Sequence, residues 1–145
     1  MKKFTSLTAH LLIIWCINSC TRHHDRSEIE AAMKQYDHLI LKLDGDSISR
    51  LYAPDGQLGD QVKGRDSIHK FLSTFTNVQV LSQRSITSSI EMSGDTSLQN
   101  GSYRQDVIVD QKDTLHIQGN YTALWVWISK EHGWRIQKMV TIPVK

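Results

Sequence analysis

The chain has almost no cysteine. Among 145 residues only Cys16 and Cys20 carry a thiol, and both fall in the first 20. Everything after Cys20 therefore has no disulfide, no cysteine nucleophile and no cysteine-ligated metal. Charge of one sign is also lacking. The 17 basic residues outnumber the 15 acidic ones only through Lys2 and Lys3. Beyond these two the chain is formally neutral and its Arg and Lys are scattered. That excludes the electropositive face nucleic acid binding needs. Long hydrophobic runs are missing as well. The run from Leu11 to Ile17 is far too short to span a bilayer. No nucleophile elbow, phosphate loop or dinucleotide fingerprint occurs. None of His38, His69 and His116 pairs with another ligand residue at a recognised metal spacing. No metal and no cofactor is expected.

What is present begins at the N-terminus. Lys2 and Lys3 followed by the short apolar run read as a secretory signal peptide over 1–19. Its end, Ile17-Asn18-Ser19-Cys20, resembles the lipobox of bacterial lipoproteins. The resemblance implies cleavage before Cys20, acylation of its sulfur, and a lipid anchor in the bacterial cell envelope, at the outer membrane. The alternative is an ordinary secretory signal with a chance cysteine. Residues 20–27 then form the lipidated Cys and a flexible tether. His23 and His24 fall in that polar spacer, with metal binding as the other reading. Residues 28–145 make one domain of ordinary size.

The domain opens on Ser27-Glu28-Ile29-Glu30, a capping box. Ile29, Met33, Tyr36, Ile40 and Leu43 then recur at helical spacing. Asp44-Gly45 stops that helix, and a shorter one covers 46–52. Ala53-Pro54-Asp55-Gly56 reads as a tight turn. Gly64 leads a third helix with Ile68, Phe71, Leu72 and Phe75 on one face. From Asn77 the period becomes alternating. Strands are expected over 85–92, 98–110, 114–129 and 134–144, joined by turns at 93–96, 111–113 and 130–133. On the third, Leu115, Ile117, Tyr121, Ala123, Trp125 and Trp127 share a side. On the last, Trp134, Ile136, Lys138, Val140 and Ile142 do. Helices followed by hairpins make an α+β pattern.

This order of elements, with LYAPDG, the Gly64-led helix and the closing Gly133-Trp134-Arg135-Ile136, resembles the nuclear-transport-factor-two-like superfamily. That group includes the SnoaL-like polyketide cyclases and ketosteroid isomerase. The resemblance covers nearly all of 28–144. It implies a cone: a curved antiparallel sheet around a pocket, closed by the N-terminal helices. Laid without gaps against ketosteroid isomerase, the oxyanion-hole Tyr falls on Tyr36, a pocket aromatic on Tyr52, and the proton-shuttling Asp on Asp60. A carboxylate would take a proton beside a carbonyl while a phenol holds the enolate oxygen. The second oxyanion donor, an Asp on the sheet, has no counterpart. No Asp or Glu occurs from Thr114 to Lys130, so true ketosteroid isomerase activity is not expected.

Tyr36 thus reads as a core or pocket-lining residue or as a catalytic phenol. Asp60 reads as a solvated loop acid or as a pocket-mouth base. Tyr52, Tyr121 and Trp125 are expected to line the pocket. Both faces of 121–128 are apolar, which suggests a homodimer. The leading expectation is a lipid-anchored domain binding a small apolar or amphipathic molecule. The alternatives are an acid–base isomerase or cyclase acting on a carbonyl compound, and a non-catalytic dimerising interaction module.

Overall fold

The computed structural model describes residues 23–144. The signal segment and Cys20 lie outside them. The elements run α1 (Arg26–Lys42), α2 (Gly45–Arg50), β1 (Tyr52–Leu58), β2 (Val62–Lys63), α3 (Arg65–Leu72), β3 (Val78–Ser93), β4 (Thr96–Val109), β5 (Thr114–Trp127) and β6 (Trp134–Pro143). One sheet of six strands has the order β2-β1-β6-β5-β4-β3. It is mixed rather than purely antiparallel, because β1 runs parallel to β6. The three helices cover its hollow side and bury Ile29, Ile48 and Ile68 completely.

Helix α1 starts one residue before the expected cap. Asp25, not Ser27, is the N-cap, and its carboxylate accepts from the Ser27 N–H at 3.1 Å. The chain packs even earlier than that. His24, inside the expected tether, is buried between Trp127 and Trp134, with ring centroids 4.5 and 4.8 Å away. The packed body therefore begins ahead of Glu28. Helix α1 ends where Leu43 turns left-handed, and Asp44 caps α2.

The Ala53–Gly56 stretch is not a free turn. It lies within β1, as a large bulge between Tyr52, opposite Ile136, and Gln57, opposite Lys138. Pro54 fits there because a bulge asks no ladder hydrogen bond of it. Arg65 braces the bulge by donating Nη2 and Nε to the Tyr52 carbonyl, at 2.6 and 3.2 Å. The real turn follows at residues 59–61, where Gly59 takes φ 61°.

Bulges also curve the long strands. The β3–β4 register shifts between Val80 and Ser82 and again between Thr87 and Ser89. The β5–β6 register shifts so that Trp125 faces Ile136 while Leu124 faces Lys138. This last shift splits the expected alternation of β6. Trp134, Ile136 and then Met139 point to the hollow side, whereas Lys138, Val140 and Ile142 point away. Glycine makes the bend possible. A Cβ on Gly101 would run into the Ile86 carbonyl and come within 2.6 Å of the Tyr121 ring. One on Gly119 would run into the Ile142 carbonyl and come within 2.8 Å of the Tyr103 ring.

Candidate functional site

The curved sheet and α1 enclose a cavity of about 400 Å³. Cross-strand pairing sorts its sheet wall into rungs. The outermost pairs Val78 with Val109, and the next joins Val80, Val107 and Leu115. The third joins Gln83, Gln105 and Ile117. Further along the strands, Ser85 faces Tyr103, and Tyr121 faces Thr141. Ile40 of α1 and its C-cap Leu43, Leu72 of α3 and Phe75 just beyond it close the outer half. Met33 and Tyr36 of α1 lie over the rest. Phe75 and Leu115 are 38% and 50% exposed, which marks this end as the mouth. The wall is apolar for the most part, with buried Val80, Val107, Met33 and Met139, and carries a polar belt whose members are half-buried or, at Thr141, exposed.

Tyr36 and Tyr121 line the cavity as expected of pocket residues. Burial pushes the Tyr36 phenol up to about 12, partly offset by the neighbouring Tyr52 hydroxyl, with the Asp37 carboxylate adding to the rise. The Tyr103 and Tyr121 phenols are likewise raised, chiefly by burial. All three are uncharged hydrogen-bonding groups at neutral pH. The Tyr52 phenol, buried beside Tyr36, is also raised well above its ordinary value, chiefly by burial, and makes no well-aimed hydrogen bond.

Two other expected pocket residues are core instead. Tyr52 and Trp125 are 0% and 1% exposed and do not line the cavity. Both belong to the closed part of the cone. Trp125 donates its Nε1 to Gln99 Oε1 at 3.0 Å, and Gln99 donates on to Thr87 Oγ1 at 2.9 Å. Thr87 in turn stands 3.4 Å from the Tyr121 hydroxyl. A buried polar chain thus leads from the core to the inner end of the cavity.

Asp60 does not reach the site. It sits in the 59–61 turn with an 80% exposed side chain and accepts from Lys138 Nζ at 3.0 Å. Tyr36 and Asp60 are not brought together, so the geometry assembles no base opposite the phenol. Among the described residues, no Asp, Glu, Lys, Arg or His lines the cavity.

The residues that shape the polar belt were not singled out in the sequence. Gln83, Ser85, Tyr103, Gln105 and Thr141 all face inward. Behind them Asp37 accepts from Gln83 Nε2 at 3.0 Å, from the Ser85 N–H at 2.8 Å and from Ser85 Oγ at 2.7 Å. That carboxylate pins α1 to β3. Inward polar residues at a two-residue spacing were the available signal, but polar residues on a strand ordinarily mark its wet face.

A second constellation lies on the outer face. Asp106 accepts from Ser82 Oγ at 2.7 Å and contacts His116 Nδ1 at 2.7 Å. The carboxylate stands between Ser and His, whereas a nucleophilic triad needs His in the middle. Its effect is to hold the Asp106 carboxyl below its usual range, through the Ser82 hydrogen bond first and His116 second. Among the described residues, no three His, Cys, Asp or Glu are grouped to hold a metal ion, and no helix is long and apolar enough to cross a membrane.

The family model for the SnoaL-like domain matches residues 21–140. Solved structures share the architecture. A ketosteroid isomerase-like protein from Erwinia carotovora atroseptica superposes with a TM-score of 0.71 at 16% identity, over 82% of this chain and 95% of that one. A conserved protein from Planctomyces limnophilus gives 0.71 at 13% identity, over 85% and 100%. A nuclear transport factor 2-like superfamily protein from Salmonella enterica gives 0.67 at 17% identity, over 82% and 90%. At such identities the likeness shows the fold alone. No curated protein matches the sequence. The matched span and the mixed cone-shaped sheet with its cavity agree, and the chain belongs to the SnoaL-like domain family.

Proposed function

We propose that this protein is a lipid-anchored envelope domain that binds a small apolar or amphipathic molecule in its cone. The observation that carries the binding is the cavity itself. It falls within the roughly 300–1,000 Å³ range of small-molecule sites, is walled mostly by apolar side chains, and carries a few uncharged polar groups. Among the described residues the lining holds no ionisable acid or base other than phenols, which favours binding over turnover. The anchor rests on the lipobox-like Ile17 to Cys20. His24 ties the entering chain to the end of the cone opposite the mouth, so an anchored molecule would hold its mouth away from the bilayer. A second copy could cover the outer face, where Ile142 is 63% exposed.

One experiment addresses both halves. Cells are fed a fatty-acid probe, and the protein is extracted gently from its own membrane for native mass spectrometry. The expected result is a labelled chain carrying a non-covalent small-molecule adduct, with Cys20→Ser losing the label. A wild-type chain that takes up no label sinks the anchor. A chain that arrives empty from every mild preparation sinks the binding role.

A further inference from the structure

Two cations are held at the junction of β1 and β6, away from the cavity. Arg65 opens α3, and its Nη2 and Nε donate to the Tyr52 carbonyl at 2.6 and 3.2 Å. Arg135 lies on β6 beside Ile136, the residue paired with Tyr52, and its Nη1 donates to the Trp134 carbonyl at 2.8 Å. Both arginines are half-buried. They are close enough that the Arg65 charge adds to burial in holding the Arg135 guanidinium below its ordinary value.

Neither guanidinium has an acid. The ion pairs among the described residues join carboxylates to His24, Arg50, His116 and Lys138, and include neither arginine. All 15 Asp and Glu of the chain fall between Asp25 and Glu131, so every acidic side chain is described. The acids nearest in sequence are engaged elsewhere or exposed. Asp55 accepts from Gln137 Nε2 at 3.3 Å, and Asp66 points to solvent on α3. Two like charges taken partly out of water repel each other and lose hydration. An anion placed between them would relieve both costs.

We infer that Arg65 and Arg135 form a seat for the phosphate group of a phosphate ester. A guanidinium is a fork of several N–H donors. Arg65 uses two of its donors and Arg135 one on carbonyls, so most remain open. The same carbonyl bonds hold both forks in place before a ligand arrives, which lowers the cost of binding. A carboxylate's pair of oxygens matches a single fork. A tetrahedral phosphate presents oxygens to two forks at once, so it suits this couple better.

The place of the seat points to a lipid headgroup as the source. Trp134, whose carbonyl holds Arg135, packs its ring against His24, four residues beyond Cys20. With the anchor proposed above, this end of the cone lies towards the bilayer and its phosphates. Only the headgroup source rests on that anchor, which fatty-acid labelling tests separately. The seat rests on the two arginines alone.

The test is calorimetric titration of the full chain carrying Cys20→Ser, at low ionic strength where charged contacts are least screened. One probe is glycerol 3-phosphate, a soluble monoester. The other is glycerophosphoglycerol, a headgroup diester with no tail to enter the cavity. The diester is expected to bind at millimolar concentration. Arg135→Gln should weaken it about ten-fold, the loss of a charge-assisted contact. Arg135→Lys keeps the charge without the fork, should weaken it less, and stands in should the glutamine variant fold poorly. Arg50→Gln removes an exposed arginine paired with Asp46 and should change nothing. Binding of the monoester alone keeps the seat and overturns the headgroup source. Binding of neither probe, binding unchanged in both Arg135 variants, or equal weakening by Arg50→Gln overturns the seat.

Discussion

Where α1 begins, His24 lies between the rings of Trp127 and Trp134, while where α1 stops, Leu43, Phe75 and Leu115 surround open space. Both ends are built on the same strands and by the same alternation. They differ in the size of the inward side chains. At the closed end Trp125, Tyr52, Trp134 and Ile136 belong to the buried core and leave almost no exposed surface. Glu28 adds a strut there, accepting from Trp134 Nε1 at 2.7 Å and contacting His24 Nδ1 at 3.0 Å. At the open end valines line the sheet, and a valine is too short to reach the helix opposite. The cavity is what remains when small side chains face each other across a span that large ones fill elsewhere. Close packing at one end supports a void at the other.

The sharpest way to break this comparison is to truncate one side chain at each end. Trp125→Ala removes a fully buried ring and orphans Gln99, so it should cost about 3–5 kcal/mol in urea unfolding. Val107→Ala removes a smaller side chain that already borders empty space, and should cost about 1 kcal/mol. Equal losses at the two sites would mean the cavity wall is packed as tightly as the core.

A smaller effect should appear at alkaline pH, from the phenols where the two regions meet. Tyr36 is pushed up to about 12 and Tyr52 well above its ordinary value, both mainly by burial. The fold thus favours the protonated phenol. Its contribution is intact below the unfolded value of about 10 and is lost as pH rises towards 12. For Tyr36 the loss is about 2–3 kcal/mol. Unfolding free energies measured across that window should fall, and the fall should be shallower in Tyr36→Phe. A wild-type curve that stays flat while phenolate absorbance grows would show that Tyr36 ionises without opposing the fold.

The sequence carried the outline of the fold and little of the site, for a definite reason. Hydrophobic period tells which way a residue points, and so helices α1 and α3 and the hairpins from β3 to β6 were legible. Period does not tell how far a side chain reaches. Trp125 and Tyr121 lie on one face of β5, yet one is core and the other wall. Bulges were also invisible. The Ala53–Gly56 stretch has turn composition but is a bulge inside β1. In β6 the extra residue Gln137 moves Met139 inward and Lys138 outward. Gln83 and Gln105 gave no signal because polar residues on strands ordinarily face water. Asp37 stood next to Tyr36 and was passed over, since its partners lie 46 and 48 residues away in the chain.

The smallest effect expected is at Asp60, and it sharpens the comparison by lying outside both regions. Gapless spacing from Tyr36 placed a working acid there, but the β1 bulge and the Gly59 turn carry it to the rim of the sheet. Its partner Lys138 is 40% exposed and the Asp60 side chain 80% exposed. A pair so open gains little Coulomb energy, and holding two side chains together costs entropy that offsets it. Asp60→Asn should therefore change stability by no more than about 0.5 kcal/mol. Binding of a neutral apolar fluorophore should not change, because no atom of Asp60 lines the cavity. A variant that stays folded but loses binding would mean that Asp60 reaches a ligand from the rim, and the site would then extend past the cavity onto the β1–β2 turn.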